Sequence, residues 1–138
     1  MKIYQQFATV LAQLLGADTA VRISVDGYMS LSIEAIGTSA DGNRLISLCH
    51  YGKQNGDLMR DPEMVFEVHS TIAAAEPLSF QNDYMGVFQV VYRYDDAGKK
   101  THVNTRLKAE LQSFAMTWFQ NLKDQGFLGE TATRERLS

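Results

Sequence analysis

The strongest constraint in this chain is a change of period. Ile3, Phe7, Val10, Leu11 and Leu14 recur at helical spacing, and Gly16 stops them. Beyond it the apolar residues alternate: Val21, Ile23 and Val25 with Arg22, Ser24 and Asp26, then Met29, Leu31, Ile33 and Ala35 with Ser30, Ser32 and Glu34. A helix stripe followed by strands with one wet face predicts an α+β fold built on an antiparallel sheet. Gln5, Gln6, Thr9 and Gln13 interrupt the first apolar stretch at helical spacing. Residues 2–15 therefore read as an amphipathic helix and not as the continuous apolar core of a secretion signal.

Turn chemistry supplies the connectivity. Asp26-Gly27, Asp41-Gly42 and Asn55-Gly56 separate apolar runs, and such pairs mark hairpins. At the first of them a two-residue loop would set Ile23 opposite Ser30 and mix the faces. A three-residue loop, Asp26-Gly27-Tyr28, pairs Ile23 with Leu31 and Val21 with Ile33, so that register is expected. Strands three and four are expected over about 44–52 and 58–69. Residues 71–84, with their alanines, Pro77 and Asn82-Asp83, read as a connection with room for a short extended piece. A fifth strand over about 85–95 carries Phe88, Val90, Tyr92 and Tyr94 on one face. The last helix, about 105–125, has the stripe Leu107, Leu111, Phe114, Ala115, Trp118 and Leu122, with Gly126 at its cap and Phe127 reaching back to Leu122. The chain thus reads as one domain over 1–127, a meander of about five strands between two helices. Residues 128–138 read as a polar, frayed tail.

Chemical interest gathers in residues 50–69. Counting back from Asn55-Gly56 places His50 opposite Asp61 and Leu48 opposite Glu63, so that His50, Asp61 and Glu63 share one face with Asp57 at the rim. A histidine among carboxylates suits a general base or a hard-metal site. Glu67 and His69 also lie two apart on one face. Against this, Pro62 cannot donate to a ladder, and the chain lacks His-Glu-x-x-His, paired cysteines, a phosphate loop and a nucleophile elbow. The plainer reading is a polar hairpin in which Arg60 pairs with Asp57 or a neighbouring acid. A second cluster sets Gln81, Asn82 and Asp83 beside Phe80, Tyr84 and Met85. It reads as turn chemistry or, more sharply, as a contact patch. Cys49, the single cysteine, excludes an intrachain disulfide and reads as a small buried hydrophobe.

Net charge is −3, too acidic for general nucleic-acid binding and too mild for a mimic of it. No apolar run approaches the roughly 20 residues that span a bilayer. No cofactor motif is present, so none is expected.

The stretches HYGKQNGDLMRDPEMVFEV, PLSFQNDYMGVFQVVY and LQSFAMTWFQNLKDQGF resemble an uncharacterised family of small bacterial proteins carried on plasmids, integrative conjugative elements and phages. The likeness spans residues 43–127. The order helix, strands, helix is also similar to that of an uncharacterised family of short chromosomal proteins. The first resemblance implies a cytoplasmic bacterial protein of a mobile element and carries no reaction with it. The leading expectation is a non-enzymatic accessory protein that binds another protein. The alternative is a metal-dependent hydrolase or nuclease using the acidic hairpin.

Overall fold

Residues 2–137 are described by a computed structural model. Its first element, α1 (Lys2–Leu15), buries Phe7, Leu11, Leu14 and Leu15 along the expected stripe. Six antiparallel strands follow: β1 (Ala20–Ser24), β2 (Leu31–Thr38), β3 (Arg44–Gln54), β4 (Asp57–His69), β5 (Ala74–Asn82) and β6 (Val87–Val90). Next come β7 (Tyr92–Tyr94) and β8 (Lys100–Val103), which form a separate ribbon, then α2 (Thr105–Asp124) and β9 (Thr133–Arg136). The main sheet has the order β6-β5-β4-β3-β2-β1-β9, so each hairpin lies beside its chain neighbour and only β9 crosses over to close the far edge.

The first hairpin adopts the register that the apolar pattern predicts, with Val21 opposite Ile33 and Ile23 opposite Leu31. These four side chains are buried together with Ile46, Leu48, Met64 and Phe66 from the next two strands. Both helices cover that face. The Phe7 ring meets Phe119 of α2 at 5.2 Å and Phe66 of β4 at 6.2 Å, each edge-on, the arrangement that ring quadrupoles favour. Trp118 is buried, as its place in the stripe predicts, whereas Phe114 stays 38% exposed and packs edge-on against Phe80. α2 begins on an Asn104 cap whose side chain accepts from the Leu107 N–H. It ends before Gly126, which is left-handed, so that the Phe127 N–H reaches the Leu122 carbonyl. The opposite face of the sheet stays polar, with Arg22, Ser32, Glu34 and Ser47 around a shallow hollow of about 570 Å³.

Three parts of the chain depart from the sequence reading. Residues 71–84 are not mainly a connection: Ala74–Asn82 forms β5, a central strand. Its pairing with β4 is irregular between Phe66/Pro77 and Val65/Ser79, which lets a proline sit inside a strand that has neighbours on both sides. The expected fifth strand divides. Val91 is buried and its carbonyl accepts from Asn104, so the chain leaves the sheet there and Tyr92 and Tyr94 enter the ribbon. Residues 133–136, read as frayed tail, pair with β1 instead, and Arg22 meets Glu135 at 3.2 Å across the ladder. Among the described residues no helix is long and apolar enough to cross a membrane.

Candidate functional site

The β3–β4 hairpin closes on Asn55 and Gly56, both at positive φ (52° and 87°), with Gln54 opposite Asp57. Two left-handed residues make the mirror-image turn that matches strand twist. The ladder then counts back through Gly52/Met59 to Tyr51/Arg60, and there it slips: the next pair is Cys49 with Glu63. Asp61 and Pro62 together oppose the single residue His50, a bulge placed where proline offers no donor.

That bulge sorts the expected carboxylate–histidine face onto two sides. His50 turns into the core, against Trp118 at 5.6 Å and Phe127 at 5.7 Å, and its Nδ1–H donates to the Ser30 carbonyl. Burial lowers its pKa. Glu63 lies instead beside Cys49 and accepts from the Ser47 hydroxyl at 2.6 Å. The expectation that His50, Asp61 and Glu63 share one face is therefore corrected, and so is the pairing of Leu48 with Glu63, since Leu48 faces Met64. Asp57 remains exposed at the turn. Cys49 is 1% exposed, and burial pushes its thiol up to about 12, so it holds its proton at neutral pH.

The other six predicted residues do come together, at the corner where β4 meets the β5–β6 turn. Asp83 Oδ2 accepts from the Arg60 backbone N–H at 2.8 Å and from its Nε at 3.0 Å, while the Asp83 N–H returns a bond to the Arg60 carbonyl. Arg60 thus pairs with Asp83, not with Asp57. These Arg60 contacts, the backbone N–H first, hold the Asp83 carboxyl below its ordinary range. Gln81 donates to the other Asp83 oxygen. Asn82 is buried, donates to Asp61 at 2.8 Å and accepts from the Met85 N–H. The Tyr84 ring lies over Gly52, where a Cβ would collide with its hydroxyl. A turn pinned by this many bonds holds two large side chains in the open: Tyr84 is 44% and Met85 70% exposed, and Leu58, beside the hairpin turn, is 64% exposed.

A second constellation was only half visible in the sequence. Glu67 and His69 of β4 face β5, where Glu76 stands directly opposite Glu67. Glu67 is fully buried and Glu76 nearly so. Two lysines neutralise them. Lys100 Nζ, from the ribbon, sits 2.6 Å from Glu67 and 3.6 Å from Glu76, and Lys108 Nζ lies 3.4 Å from Glu76. Tyr92 donates to Glu76 at 2.6 Å. Asn43 Nδ2 donates to Glu67 and to His69 Nδ1, so the other ring nitrogen carries the hydrogen that reaches Glu76. Burial alone would raise both carboxyls; bonds from Lys100, Asn43 and Ser39 to Glu67, and from Tyr92 and His69 to Glu76, outweigh it and hold both below their ordinary range.

Ligand atoms of Glu67, His69 and Glu76 lie within 4.8 Å of one another, spacing that suits a cation. The cation they face is Lys100, so the cluster is a closed ion network that ties the ribbon to the sheet. Glu67 and His69 were legible as a pair; Glu76 carried only the weak signal of a lone acid in the apolar run AAAEPL.

A two-layer α+β protein with a pinned apolar corner is the class these features define. The chain matches the model of a family described as a domain of unknown function, DUF6908, over residues 2–128, and belongs to that family. No curated protein and no solved structure matches it.

Proposed function

We propose that this chain is a non-enzymatic accessory protein of a bacterial mobile genetic element, working in the cytoplasm by binding another protein. Its contact surface is the β5–β6 turn, where Tyr84 and Met85 stand exposed. One observation carries the reading: Arg60, Asp61, Gln81, Asn82 and Asp83 spend their hydrogen bonds on holding a turn whose outward side chains are a tyrosine and a methionine. Fixed backbone under an adaptable, polarisable side chain reduces the ordering cost of binding and suits a protein contact. The mobile-element setting rests on the resemblance of residues 43–127.

The test is affinity capture from the native host with wild type and Met85→Glu compared. Met85 is largely solvent-exposed, so the variant keeps the wild-type melting temperature while losing the partner that wild type recovers. A partner held equally by both would move the contact surface elsewhere.

A further inference from the structure

Two strands end the main sheet, and they treat their free edges differently. In β9 the ladder bond from the Leu137 N–H to the Ala20 carbonyl, with Glu135 opposite Arg22, turns the backbone of Arg134 and Arg136 outward. Antiparallel self-pairing about Glu135 would set Arg134 of one copy against Arg136 of the other, a like-charge contact directly across the ladder. This edge is closed to a second copy.

β6 carries no such guard. Its sequence, Val87-Phe88-Gln89-Val90, has no charge. The Val91 N–H bonds the Leu78 carbonyl, and Gln89 pairs with Phe80, so Val87 and Gln89 direct their backbone groups to β5, as Val91 does its N–H. Phe88 and Val90 therefore aim theirs outward, and their side chains are 65% and 47% exposed. An uncharged edge with two exposed apolar residues is a template for another strand.

The geometry points to a two-fold homodimer in which β6 pairs antiparallel with β6 of a second copy about an axis at Gln89. Phe88 of each copy then lies opposite Val90 of the other, which satisfies the outward N–H and C=O of both and packs phenyl on isopropyl on the polar face of the sheet. The two Gln89 side chains meet on the helix side, where amide can bond amide. Charge supports the same occupant. Gln89 and Val90 line a hollow with Asn104, Arg106, Leu107 and Glu110, and Arg106 and Glu110 are exposed. A two-fold axis there turns each copy's Arg106–Glu110 pair toward the same pair in reverse order, so unlike charges approach. β9 under the same operation brings arginine to arginine.

Sedimentation velocity on the full chain, over a range of concentrations, should show a monomer–dimer equilibrium. Phe88→Lys, at an exposed position, should shift it to monomer without changing the thermal melt. Gln89→Cys locates the axis, because opposite residues of a non-hydrogen-bonded pair lie close enough for a disulfide, about 4.5 Å between Cα atoms. Native Cys49 is buried, so the new thiol is the one that oxidant reaches. Mild oxidation should give a reducible dimer with Gln89→Cys and none with Glu135→Cys. A chain that stays monomeric at every concentration overturns the proposal, and so does a dimer that Phe88→Lys leaves intact while Gln89→Cys fails to cross-link.

Discussion

His50 shows how one residue of slip changes a chemical role. The sequence offers it as a base among acids; the bulge at Asp61-Pro62 turns it between Trp118 and Phe127, where it behaves as a core aromatic with one hydrogen bond. Burial has a consequence for stability. Because its folded pKa lies below the ordinary value, near 6.5, the unfolded chain binds the proton more readily. Its contribution is therefore fully present above about pH 6.5 and is lost as pH falls toward the folded pKa. Denaturant melts at pH 7.5 and 5.5 should show lower stability at the acid value, and His50→Leu should flatten that difference whatever its effect on absolute stability. A slope that His50→Leu leaves unchanged would assign the acid sensitivity to the carboxylates alone.

Among the elements, the ribbon β7–β8 is tied to the sheet by Tyr92 and Lys100. Its Lys100 is the nearest cation to Glu67, a fully buried carboxylate. Lys100→Met strands that charge, and removing one partner of a buried pair costs about 3–5 kcal/mol. Chemical denaturation should show this loss, and the double variant Lys100→Met, Glu67→Gln should recover much of it, since the orphaned charge and not the missing contact dominates. If the double variant is no better than the single, the lysine acts by packing. Elements like this one mark where sequence reading stops. The β1–β2 register could be read because both strands alternate cleanly and only one loop length keeps Val21, Ile23, Leu31 and Ile33 on one face. Tyr92 and Tyr94 continue the alternation of Phe88 and Val90 without a break, so nothing local announces that the chain leaves the sheet at Val91; that exit is set by Asn104 and Glu76, distant in sequence. The same limit hid the pairing of Glu67 with Glu76, which needs the β4–β5 register and hence the irregularity at Pro77. At the Arg60 corner the residues were legible, and Asn82-Asp83 falls at a turn as its chemistry predicts, but Arg60's partner was not, because the turn is brought to Arg60 by β5, a strand that the sequence presents mainly as a connection.

At the scale of the whole molecule, the two edges of the sheet decide what the chain can assemble into. With β6 open and β9 closed by arginines, association stops at a dimer, because each copy has one usable edge and a two-fold contact consumes it. β9 lies past residue 128, where the family match ends, and the buried core cluster ends before it: its last member is Phe127, just after α2, while Ala132 packs against the cluster partly buried from beyond residue 128. A chain ended after Leu128 should therefore fold, with far-UV circular dichroism close to wild type and a modest loss of thermal stability from the missing β1–β9 ladder and the Arg22–Glu135 pair, itself worth under about 1 kcal/mol. Its association should change more than its fold. Truncation bares the outward backbone of Ala20, Arg22 and Ser24, which β9 covers in the full chain, so each copy then has two usable edges. Two edges permit growth without closure, and sedimentation velocity on the truncated chain should show species larger than a dimer that increase with concentration. Adding Phe88→Lys to the truncation closes the β6 edge and should return those species to dimers or monomers. A truncated chain whose sedimentation matches the full chain would mean that β9 does not guard the edge, and one that fails to fold would place β9 within the cooperative core.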